Sequence, residues 1–162
     1  MKKFLFLLLI LLPIYLCVGL YFLDKVYFFS PIESSGQIIV RADGRGDGVF
    51  GAERNGRRVH EGLDLLAEVG TPVLASRSGV VLRATRSRGM GNYIILRHPG
   101  NLTTIYGHLS AIAVRGGQFV RQGQVIGRVG KTGNANYRDI LPHLHFEVRK
   151  GGIPQDPLEY LQ

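Results

Sequence analysis

The chain reads as an all-β protein of antiparallel sheets behind an N-terminal helix, and three features of the sequence carry that reading. After the first two dozen residues no stretch repeats apolar side chains at helical spacing, and 22 glycines punctuate the chain. Short apolar runs at Val80 to Leu82, Tyr93 to Leu96, Thr103 to Tyr106 and Val125 to Val129 are parted by Gly-bearing turns, as successive antiparallel strands are. The run His143-Leu144-His145-Phe146-Glu147-Val148 alternates polar and apolar residues, so a strand there has one core face and one polar face.

Taken in order, the chain opens with Lys2 and Lys3 before a twenty-residue uncharged run from Phe4 to Leu23. As a helix that run reaches about 30 Å, the thickness of a bilayer's hydrocarbon core. The leading lysines keep that end in the cytoplasm and send the rest across the membrane. A signal peptide cleaved near Cys17 and Gly19, or a lipoprotein signal at Cys17, competes with this reading. The apolar run continues through Leu20 to Leu23, and Tyr15 and Leu16 are bulky residues to precede a lipidated cysteine, so residues 1–23 are expected as an uncleaved anchor.

Residues 24–48, with Ser34-Ser35-Gly36 and Asp43-Gly44-Arg45-Gly46-Asp47-Gly48, are expected as a tether carrying a short strand from Ile38 to Val40. Residues 49–162 are then one domain with a single core. Within it Gly70 to Val81 and Gly117 to Gly127 echo one another as two similar turn units of one sheet system. The only cysteine lies in the apolar run, so the exported part needs no disulfide and no thiolate-bound metal.

The net charge is +8, and without the two leading lysines 18 basic residues still face 12 acidic ones. Such a surface is drawn to anionic polymers or membranes; the apolar segment argues against nucleic acid as the partner. Arg54, Arg57 and Arg58 lie just before His60, where they either line a groove that takes carboxylates or form a solvated turn.

Four of the five histidines fall in three motifs: His60 in H-E-G-L-D, His108 in Y-G-H-L, and His143 and His145 in H-L-H-F-E. A catalytic zinc takes three protein ligands and keeps a fourth position open, and His60, Asp64 and His145 can supply the three. The i, i+2 imidazoles of H-L-H share one face of a strand, so one can bind metal while its neighbour reaches water beside it. Gly62 and the lack of helical periodicity make H-E-G-L-D a loop-to-strand corner instead of a helix. His98, in R-H-P-G, has no ligand-spaced partner and is left out of the site. No H-E-x-x-H helix is present, so a histidine must act as base. Glu147 is either a partner that orients an imidazole or an ordinary exposed strand glutamate.

From about Val49 to Leu161 the sequence resembles the zinc peptidoglycan endopeptidases of the lysostaphin and LytM type. H-E-G-L-D, G-T-P-V-L-A, G-N-Y-I-I-L-R-H, T-I-Y-G-H-L, V-R-Q-G-Q-V-I-G, G-K-T-G and P-H-L-H-F-E-V follow one another in that family's order. The resemblance implies a compact antiparallel β-sheet domain with Zn2+ held by His60, Asp64 and His145, and with His143 and His108 as catalytic histidines that move protons and steady the oxyanion. It also implies peptidoglycan peptides as substrate, on the outer side of the cell membrane. The stretch N-A-N-Y-R-D-I-L between Gly133 and Pro142 departs from the family pattern, leaving the metal residues intact and bearing on specificity. A carboxypeptidase, a zinc-stabilised structural domain, and a non-catalytic module that binds or activates another wall hydrolase are the competing readings.

Overall fold

A computed structural model describes residues 9–15, 28–33, 37–54, 56 and 58–161 of the chain. Two small hairpins come first: β1 (Ala42–Asp43) with β2 (Gly46–Asp47), and β3 (Glu53–Arg54) with β4 (Arg58–Val59). They are followed by β5 (Leu63–Leu66), β6 (Pro72–Leu74), β7 (Gly79–Ser87), β8 (Gly91–His98), β9 (Leu102–Leu109), β10 (Ala111–Ile112), β11 (Phe119–Val120), β12 (Val125–Arg128), β13 (His143–Lys150) and β14 (Ile153–Gln155). The main sheet runs β11-β7-β8-β9-β13-β14, and a second sheet runs β10-β12-β6. Every strand pair is antiparallel, as the short apolar runs predict.

β13 positions the site. One edge pairs with β9; the other pairs with β5 along its first half and with β14 along its second. Its alternation works as expected, with Leu144, Phe146 and Val148 fully buried beside Leu63, Leu65 and Tyr106. Burying a side chain of this size contributes on the order of 1.5–3 kcal/mol, so the core face fixes the register of β13 and with it the direction of the polar face. The two echoing turn units pair with each other: β6 lies against β12 and β7 against β11. They straddle the two sheets and tie them together.

The segment expected as a tether is folded wherever it is described. Phe28 and Ile32 are buried, and isolated bridges join Phe28 to Leu161, Ile32 to Val73 and Val40 to Leu65. Their apolar side chains cap the core, and the D-G-R-G turn closes the β1–β2 hairpin. Instead of a full strand from Ile38 to Val40, only the bridge at Val40 forms. Residues 9–15 are helical and exposed, and the rest of the apolar run from Phe4 to Leu23 lies outside the described residues. Among the described residues no helix is long and apolar enough to cross a membrane.

Candidate metal centre

The polar face of β13 meets β5 directly, with His145 opposite Asp64 in the register. His60 reaches the same point from the turn before β5, the corner expected from H-E-G-L-D. Gly62 makes that corner possible, because a Cβ there would lie 2.5 Å from the Phe146 carbonyl oxygen and 2.9 Å from the His145 ring. Asp64 Oδ1 lies 3.0 Å from His60 Nε2 and 2.8 Å from His145 Nδ1, and the two nitrogens are 3.0 Å apart. A tetrahedral zinc with bonds of about 2.0–2.2 Å spaces its ligand atoms roughly 3.3–3.5 Å apart, so a movement of a few tenths of an ångström accommodates it. Two imidazoles and one carboxylate, all buried, are a donor set that fits the ion.

A second layer sets which nitrogen each ring presents. His60 Nδ1 donates to the Val49 carbonyl at 2.9 Å, leaving Nε2 for the metal. His145 Nε2 donates to Glu147 Oε1 at 3.0 Å, leaving Nδ1. Glu147 is buried and is held in turn by Arg149 Nε at 2.6 Å, so it is the orienting partner and not an exposed strand residue. Arg41, through Nε and Nη2, and Arg54, through Nη2, bind Asp64 Oδ2, the carboxylate oxygen turned away from the histidines.

His143 and His108 stand beside this triangle. His143 Nδ1 donates to the Leu141 carbonyl at 2.7 Å, and its Nε2 lies 3.8 Å from Asp64 Oδ1. His108 Nδ1 donates to the Thr132 carbonyl at 2.9 Å, and its ring centre is 5.0 Å from that of His143. His108 reaches the groove through a break in the alternation of β9. Asn92 pairs with Leu109 but Ile94 with Tyr106, so β9 carries one extra residue, and His108 takes a left-handed φ of 62°. This bulge lets Tyr106 and Leu109 both enter the core while His108 turns the other way. The left-handed backbone costs about 1 kcal/mol or more, a strain of the kind functional sites hold.

The electrostatics separate the roles. Burial alone would push the Asp64 carboxyl up, but hydrogen bonds from His145 and His60 hold it far below the usual carboxylate range. Burial lowers His108 to about 3, helped by the neighbouring His145 and His143, and burial also lowers His143 against the pull of Asp64. Both rings are therefore neutral near pH 7, with a lone pair at Nε2. His145 is buried too, yet bonds to Asp64 and Glu147 raise it to about 9 in the metal-free chain.

All five expected site residues line a single groove of about 830 Å³. Arg54 and Arg58 border it as well, and Arg57 lies outside the described residues. The departing loop also reaches the groove, through Asn134, Ala135 and Ile140.

Residues 58–157 match the model of peptidase family M23. The chain belongs to peptidase family M23. It is 46% identical over 101 residues to the DD-carboxypeptidase/endopeptidase Mpg of Neisseria meningitidis, an alignment covering 62% of this chain and 22% of that protein. The catalytic domain of lysostaphin from Staphylococcus simulans superposes with a TM-score of 0.60 at 36% identity, covering 74% of this chain and 90% of that one. Stage II sporulation protein Q of Bacillus subtilis is 38% identical over 103 residues, covering 62% of this chain and 36% of the relative. The M23 match thus spans about a fifth of the length of Mpg.

Sequence reasoning overlooked Arg41 and left Glu147 undecided. The alternation of β13 placed Glu147 on the right face, and Arg149 two residues on was the available sign that it is buried and paired. No local signal marked Arg41, whose partner is 23 residues away.

Proposed function

We propose that this chain is a zinc metalloendopeptidase that hydrolyses peptide bonds in peptidoglycan stem peptides or cross-bridges. The observation that carries the reading is the convergence of three metal-type donor atoms within 3.0 Å of one another, with two neutral imidazoles alongside. Zinc, when bound, supplies Lewis-acid activation of water and of the scissile carbonyl. His60, Asp64 and His145 hold the ion. His143 takes the water proton at Nε2, because Nδ1 is engaged with Leu141 and burial keeps the ring unprotonated. His108, fixed the same way by Thr132, offers a second proton acceptor at Nε2, and once that nitrogen has taken a proton it donates toward charge that develops on the carbonyl oxygen. The exposed Arg58 and half-buried Arg54 favour an anionic peptide in the groove. The apolar run from Phe4 to Leu23 is the proposed single membrane anchor, with the domain on the periplasmic or extracellular side.

Full-length protein incubated with purified peptidoglycan, with and without a chelator, tests this reading by mass analysis of the released peptides. Chelator-sensitive release of cross-link fragments is the expected outcome. The kinship with a sporulation protein favours a second reading, a non-catalytic module that binds or activates another wall hydrolase. Intact wall material from folded, zinc-loaded protein selects that one.

A further inference from the structure

We propose that Arg41 and Asp43, on the hairpin upstream of the M23 match, are positioning residues that hold Asp64 and His143 in mutual register. The inference rests on the metal-site reading above. A carboxylate free to rotate offers a metal either oxygen. Here the Arg41 guanidinium anchors Oδ2 of Asp64 through Nη2 at 2.9 Å and Nε at 3.2 Å, which leaves Oδ1 facing His60 and His145. Arg41 is 3% exposed, so its charge needs a second carboxylate, and Asp43 Oδ1 supplies it at 2.5 Å from Nη1. The other oxygen of Asp43 accepts the Leu141 N–H at 3.0 Å, and the Leu141 carbonyl accepts His143 Nδ1–H at 2.7 Å.

An unbroken path therefore runs from the metal-side carboxylate through Arg41, Asp43 and Leu141 to the proposed base. The hairpin that carries it is fixed to β5 by its own backbone. Arg41 N donates to the Asp64 carbonyl at 2.9 Å and Asp64 N to the Gly48 carbonyl at 2.8 Å. Gly48 permits that approach, since a Cβ there would lie 2.7 Å from Asp64 Cβ. All of these upstream residues precede the M23 match, which begins at residue 58. The site is thus braced from outside the region the family model covers.

The test uses full-length chain in mild detergent, with zinc affinity measured by competition against a chromophoric chelator well below the melting point of the metal-free protein. Arg41→Met is expected to weaken zinc binding by about 10- to 100-fold, the usual effect of removing a partner of a ligand. Arg41→Gln, which keeps one donor, is expected to lose less and also serves if the methionine variant does not fold. Asp43→Ala is expected to lower kcat at saturating zinc while KM stays near its original value, because Leu141 and His143 lose their support and the groove does not. A purely structural ion pair would lower the melting temperature and leave both readouts unchanged. Wild-type zinc affinity in a folded Arg41 variant, or wild-type kcat in Asp43→Ala, overturns the proposal. Should the unmodified chain bind zinc no better than His60→Ala, the metal-site reading itself falls, and this inference with it.

Discussion

His98 and the groove histidines are similarly buried, between 2% and 9% exposed, yet they sit in opposite kinds of surroundings. In His98 both nitrogens are engaged: Nδ1 with the Ser78 carbonyl at 3.0 Å, and Nε2 with Thr104 Oγ1 at 2.8 Å. Thr104 in turn shares a hydroxyl hydrogen bond of 3.0 Å with Tyr106. In His60, His143 and His108 a backbone carbonyl takes Nδ1–H and Nε2 is turned toward the groove; in His145 Glu147 takes Nε2–H and Nδ1 is turned there. Burial alone is therefore a poor sign of function in a histidine. The informative feature is one nitrogen fixed by protein and the other aimed into shared space.

The comparison can be broken most severely at the metal ligands. His60→Ala or Asp64→Ala is expected to lose bound zinc and peptidoglycan cleavage together, as elemental analysis and a cleavage assay would report. His143→Ala or His108→Ala is expected to keep the zinc and lose on the order of 10² to 10⁴ in rate; full activity in His143→Ala would remove that residue from the mechanism. Glu147→Gln keeps the shape and removes the charge behind His145, and about 10-fold weaker zinc binding is expected by chelator competition.

His98→Ala is the mildest change for function. It leaves Ser78 and Thr104 without their partner and is expected to destabilise the fold by roughly 1–3 kcal/mol in urea unfolding, with zinc content and kcat unaltered. The pH dependence of that contribution follows from burial, which lowers His98 to about 4 from an ordinary 6.5. The unfolded chain takes up the proton first as pH falls, so the contribution is whole above pH 6.5, declines below it, and levels off below about 4. Acid unfolding of His98→Phe should lack this component; an unchanged slope between pH 6.5 and 4 would contradict the assignment.

The strands and the five groove residues were legible because their signals are local. Period-two alternation marks β13, and imidazoles at i and i+2 announce a shared face. The conformation of His108 was not legible, since strict alternation from Tyr106 would have put it in the core; a single extra residue in β9 decides the matter. Arg41 was hidden for another reason. A charged run rich in Asp and Gly looks like a solvated turn until a chain segment 23 residues away supplies its partner. The fold of the described residues between 28 and 48 depended in the same way on distant contacts, at Val73, Leu65 and Leu161.

The docking of Phe28 against Leu161 also bears on where the protein can work. Five peptide steps separate Leu23, the end of the proposed anchor, from Phe28, and a fully extended chain covers about 17 Å in that distance. With the proposed anchor seated in a bilayer, so short a leash would confine the domain to the layer next to the membrane. Under the proposed function, only wall strands lying within that layer would come within its reach.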